Sequence, residues 1–158
     1  MSASGQRKLK TLRENPRMER FVTSWLDCVD QPSALTIHSI FGDGVPSLIG
    51  IDLHEVRLVR DGPTVELRFD LPVFPAPAPA KWKAQGFNRV QLRLAAVGVS
   101  EVEISGIATT CVLDMQIIKV ANFVHVAAAS GMVKIRIAAE SLNLRHISAY
   151  LDDGQEAR

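Results

Sequence analysis

A chain of 158 residues with 47% apolar and 22% charged side chains has the size and composition of one globular domain, able to bury roughly 70% of its unfolded surface without metal or disulfide staples. With 18 Lys and Arg against 17 Asp and Glu, the net charge of +1 provides no global field to attract nucleic acid or an anionic membrane. Cys28 and Cys111 form no CxxC pair and are too few for a secreted disulfide framework, so they are expected as reduced core thiols in a cytoplasmic protein.

In chain order, residues 1–14 are small, polar and basic and read as a flexible segment, with no apolar stretch behind them that would make a secretory signal. Nor does any stretch approach the roughly 20 apolar residues of a membrane span. A helix is expected from Asn15, a good cap followed by Pro16, through Met18, Phe21, Val22, Trp25 and Leu26, whose spacing places them on one face. Pro32 is expected to bar its continuation. Ile37, Ile40 and Phe41 then suggest a second, short helix ending at Gly42, although Thr36 and Ile37 also suit a strand.

From Ile51 the period changes to two. Val56 and Leu58 lead through Asp61 and Gly62, a turn dipeptide, into Val65, Leu67, Phe69 and Leu71, which alternate with Glu66, Arg68 and Asp70. The same alternation returns at Val90, Leu92 and Leu94, at Val102 and Ile104, and at Val133, Ile135 and Ile137. Cys111 to Val120 and Phe123 to Ala128 are more uniformly apolar and read as strands covered on both faces. Leu142 to Leu151 makes a closing strand, and residues 152–158 form a flexible tail. Connections this short leave no room for crossover helices. The expected fold is α+β, predominantly an antiparallel β-sheet meander or barrel-like roll with an N-terminal helix, as one domain over residues 15–151.

Pro72, Pro75, Pro77 and Pro79 interrupt this meander, because they remove ladder donors and hold the chain extended. The segment reads as a stiff link or as a ledge for a partner. Beside it, Trp82 lies between Lys81 and Lys83, an amphipathic indole with flanking cations that suits a protein contact or the sheet edge.

Motifs for chemistry are few. Gly42, Asp43 and Gly44 are followed by Pro46 and a strand, so no helix N-terminus faces a phosphate. Asp52 and His54 share a strand face, with Glu55 expected on the other, and read as a solvated edge lacking a second ligand motif. His38, His54, His125 and His146 form no HxH or HExxH pair, and neither cysteine has a neighbouring histidine. A binding protein without cofactor, metal or catalytic residues is therefore expected.

Leu35 to Gly42 with Pro46 to Leu48, Arg60 to Pro63 before Leu67 to Asp70, Pro79 to Trp82, Asn88 to Leu92 and Ile147 to Tyr150 stand in an order and spacing that together resemble the immunity protein 50 family. The resemblance runs from about Leu35 to Tyr150. It implies a bacterial protein that binds and neutralises the C-terminal toxin domain of a polymorphic toxin by occlusion. The helix from Asn15 to Leu26 looks like an addition to the family's shorter start. Contact residues expected under this reading are Trp82, Lys81 and Lys83, with the acidic pairs Asp27 and Asp30, and Asp152 and Asp153. Two other readings stay open: a β-roll carrying a small molecule or lipid, and a hydrolase or isomerase using His54 or His146.

Overall fold

The alternating stretches become antiparallel strands in the computed structural model, which describes residues 24–154. They are β1 (Ile49–Val59), β2 (Thr64–Asp70), β3 (Arg89–Ser105), β4 (Val112–Val120), β5 (Phe123–Ala129) and β6 (Lys134–Tyr150). Two meanders result, β1-β2-β3 and β4-β5-β6, each with sequential neighbours paired. They join along two very unequal seams. β3 runs beside β6 over its whole length, from Arg89 opposite Tyr150 to Ser105 opposite Lys134, whereas β1 meets β4 only at Ile49, Ile51 and Asp52. The ring β1-β2-β3-β6-β5-β4 therefore closes as an irregular barrel.

Local chemistry fixes the hairpins and bends. Gly62 takes a φ of 93° in the β1-β2 turn, a region an L side chain rarely enters. At Gly98, with φ of 68°, and at the adjoining bulge between Val99 and Glu101, β3 leaves β2 and follows β6 into the second meander. One strand thus serves both halves.

The inward positions are the apolar ones predicted: Val65, Leu67, Phe69, Val90, Leu92, Leu94, Val133, Ile135 and Ile137 are all buried. Phe69 lies opposite Leu92, and Leu67 opposite Leu94, so the first meander packs its largest side chains across neighbouring strands. β4 and β5 depart from expectation. Their side chains alternate buried and exposed, with only one face covered. An apolar run looked two-sided in sequence, but no layer lies over the outer face among the described residues, and Val112, Val120 and Phe123 stay exposed. Val102 and Ile104 are exposed as well, because β2 has ended before β3 reaches them.

The helix α1 (Gln31–Phe41) is longer than the sequence pattern suggested. The preceding helical turn ends at Cys28, short of Pro32 as expected, and Pro32 itself sits in the first turn of α1, where no helical N–H partner is needed. Asp30 caps that turn, its carboxylate accepting from the Ser33 N–H at 3.2 Å. Gly42 ends the helix as expected, donating to the His38 carbonyl at 2.8 Å. Ile37 and Ile40 are buried, and the helix start ties the edge of β6 directly: Asp30 N–H donates to Leu142 O at 3.1 Å, and Leu144 N–H to Ser33 Oγ at 2.8 Å. Most of the helix expected from Asn15 lies outside the described residues. Its end, Trp25–Cys28, is a 3-10 turn that buries Trp25 and Leu26, with the indole donating to Pro46 O at 2.8 Å. The proline-rich segment forms no strand and leads into a short helix, α2 (Ala80–Ala84).

Phe69 is fully buried at the centre of the core cluster. Truncating it leaves a cavity between the first meander and its neighbours. Phe69→Ala should lower the unfolding free energy by about 3–5 kcal/mol, read as a lower denaturation midpoint at an unchanged slope.

Candidate functional site

The alternation that buries Val65, Leu67 and Phe69 turns Asp70 to the outer face of β2, yet Asp70 is only 2% exposed. Three donors surround it. Gln91 Nε2 on β3 donates to Oδ1 at 2.9 Å, while Tyr150 Oη on β6 and His54 Nε2 on β1 both reach Oδ2, the histidine at 3.0 Å. Strand register brings them together: Asp52 lies opposite Asp70, Asp70 opposite Gln91, and Arg89 opposite Tyr150. Four strands of the ring therefore converge on one buried carboxylate.

A bulge between Leu53 and Glu55 resets the phase of β1 at this point. Asp52 and His54 share a face as expected, but Glu55, expected on the other side, turns outward too, where it approaches Arg57 and Arg68 at 3.9 Å each. Arg68 Nη1 in turn donates to Gln91 Oε1 at 3.4 Å, and Glu66 lies between Arg57 at 3.9 Å and Arg93 at 3.7 Å. These partly exposed pairs each contribute little to stability. They do hold the outer face of β1, β2 and β3 in one geometry around Gln91.

Asp52, His54 and Asp70 each present a ligand atom within 4.8 Å of the others, the mixed donor set a divalent cation accepts. Both Asp70 oxygens, however, already accept hydrogen bonds. His54 is not the free edge residue the sequence suggested, since a buried carboxylate orients its imidazole. The Tyr150 phenol is held above its ordinary value, first by burial and then by its hydrogen bond to Asp70. Cys28 and Cys111 are free thiols raised mainly by burial, which makes both poor nucleophiles.

The candidate contact residues fall on two separate faces. Trp82 is half-buried on α2, its ring 6.3 Å from Phe74 and its side chain packed on the core, while Lys81 and Lys83 beside it are exposed. Phe87 N–H, just past this helix, returns to the Trp82 carbonyl at 3.1 Å, and Asn88 exchanges two 2.8 Å hydrogen bonds with Asp152. Asp152 also meets Arg89 at 3.3 Å, so it and exposed Asp153 lie at the α2 end of the barrel. Asp27 and Asp30 lie elsewhere. Asp30 hangs on Leu142, roughly 26 Å from Tyr150 along β6 at about 3.3 Å per residue.

Asp70, Gln91 and Tyr150 were not singled out from the sequence. An aspartate closing an alternating strand and the chain's single tyrosine are ordinary surface residues until register joins them.

Because the folded state binds the Tyr150 proton more tightly than the unfolded chain does, this group's contribution is fully present below pH 10.0, the phenol's ordinary value, and is lost as pH rises above it. The chain has 1 tyrosine, so phenolate absorbance reads this group alone; its midpoint should lie above the ordinary value. Tyr150→Phe should cost about 1–3 kcal/mol at neutral pH and flatten the alkaline fall in stability.

Among the described residues no helix is long and apolar enough to cross a membrane. The sequence profile of immunity protein 50 matches residues 34–150, a span that starts in α1 and takes in all of β1 to β6. No curated protein and no solved structure matches the chain. The profile covers well over half of the 158 residues and the whole ring of strands, so the chain belongs to the immunity protein 50 family.

Proposed function

We propose that this protein binds the toxic C-terminal domain of a bacterial polymorphic toxin and neutralises it in the cytoplasm of the producing cell, by occlusion and without catalysis. The observation that carries the reading is the family match across residues 34–150. The fold supports it physically. A ring of strands filled by Phe69, Ile51, Leu67, Leu92, Leu94, Leu113 and Ile135 is a rigid body, and a rigid body loses little conformational freedom when it docks. The same filling argues against the alternative of a small-molecule or lipid carrier, which would require an open interior.

Stable occlusion needs about 800 Å² on each partner with a few desolvated anchors. The near-neutral charge of +1 gives no general attraction to a strongly basic or acidic toxin. Recognition then depends on local groups.

The test is co-expression with the toxin domain encoded immediately upstream of this gene. Cells making both proteins should grow, and the two should purify as a stoichiometric complex. Continued killing with no complex would overturn the proposal.

A further inference from the structure

The ring leaves some backbone unpaired, and its edges differ in how they are covered. On β4, Met115 N–H donates to Leu48 O at 2.9 Å, and the Cys28 thiol lies 3.8 Å from Ile117 O. On the later half of β6, Asp30, Ser33 and Asn88 take up the backbone of Leu142, Leu144 and Tyr150. The far half of β1 is open, but it is entered through a bulge, and its Glu55 and Arg57 are ion-paired within the sheet.

Glu101 to Ser105 of β3 is different. One side pairs with β6, from Glu101 opposite Ala138 to Ser105 opposite Lys134. On the other side β2 has already ended, at Thr64 opposite Val97, and the last bonds there are Gly98 N–H to Gly62 O and Val99 N–H to Pro63 O. Beyond them, among the described residues, the strand is an edge with all five side chains exposed, including Val102 and Ile104. An open edge with apolar side chains is a ready template for another strand.

Its charges indicate what that strand is. The side chains of Glu101 and Glu103 have no ion pair or hydrogen bond among the described residues, although Arg136 lies across from Glu103. A second copy pairing antiparallel here meets itself poorly. Centred on Val102, it sets Glu101 against Glu103; centred on Glu103, it sets that residue against its own copy; centred on Ile104, it avoids these clashes but sets Ser105 against Glu103 and supplies no counter-charge. Like charges directly opposite are destabilising. A strand with Lys or Arg opposite the glutamates and apolar residues beside Val102 and Ile104 satisfies both sets. Next to this edge, the outer face of β4, β5 and β6 forms a groove lined by Glu101, Glu103, His125, Ala127, Arg136 and Ala138, which extends the surface beside the edge.

We infer that the toxin domain docks by adding an extended strand of alternating basic and apolar residues to the Glu101–Ser105 edge of β3. This rests on the neutralisation reading above and names its contact surface. Main-chain hydrogen bonds along the edge supply affinity, and the two glutamates select the partner. Trp82 and its lysines, at the other end of β3 and partly committed to the core, stand outside the contact.

The test is hydrogen exchange on the full chain, alone and with the toxin domain encoded upstream. The amides of residues 101–105 that point away from β6 should exchange quickly in the free chain and become protected in the complex. The double change Glu101→Lys with Glu103→Lys should raise Kd at least tenfold at an unchanged melting temperature, while Trp82→Ala leaves Kd unchanged. Binding with protection centred on α2, or anywhere other than this edge, overturns the inference and leaves the neutralisation reading standing. Protection of those outward-pointing amides already in the free chain also overturns it, placing a second copy or a segment of the chain itself on the edge; light scattering separates those two. If the unmodified chain does not bind the toxin domain, both proposals fall.

Discussion

The pairing of β3 with β6 is the constraint on which the rest of the molecule depends. Each strand is 17 residues long, and their ladder runs from Arg89 opposite Tyr150 to Ser105 opposite Lys134. Cut there, the chain is two three-stranded meanders held only by the short β1-β4 contact, each with an apolar face and nothing to cover it. Joined there, the two faces oppose one another, and the core from Val65 to Leu142 becomes continuous. A seam this long between strands far apart in sequence is costly to form early. Its bend at Gly98 and the bulge beside it are what allow a single strand to belong to both halves.

Two polar features follow from that seam. At its start, β3 and β6 bring Gln91 and Tyr150 to Asp70, so a carboxylate that would be costly to bury alone is supplied with donors from three neighbouring strands. This cluster ties β1, β2, β3 and β6 at one end of the barrel. At the seam's other end β3 outruns β2, and the same geometry that satisfies Asp70 leaves Glu101 to Ser105 with one partner strand among the described residues. A closed, well-satisfied end and an open edge are consequences of one strand being longer than its neighbour.

Much of this was legible in the residues. Alternation located β2, the start of β3 and the start of β6, and it assigned Val65, Leu67, Phe69, Leu92, Leu94 and Ile135 to the interior, because period two is a direct readout of a half-buried strand. In β4 and β5 the alternation is diluted and not absent: Asp114, Gln116 and His125 mark the outer face opposite buried Leu113, Met115, Val124 and Val126, but Val112, Ile118, Phe123 and Ala127 share that face and make the run look two-sided. Period failed at Glu55, where a single extra residue in β1 reverses every later side chain. Pro32 shows the same limit locally. A proline that stops one helix also suits the start of the next, and Asp30's capping bond shows that a helix begins here.

The sequence by itself determined the β-rich class, the inward-facing residues and the family, since these depend on local periodicity and on the order of short segments along the chain. Tertiary structure alone decided that the two meanders close into a ring, that Asp70, His54, Gln91 and Tyr150 meet, and that β3 runs past β2 at Glu101–Ser105. The reason is physical. Strand order and register arise from pairings between distant segments, and no local pattern records which residue will lie opposite which.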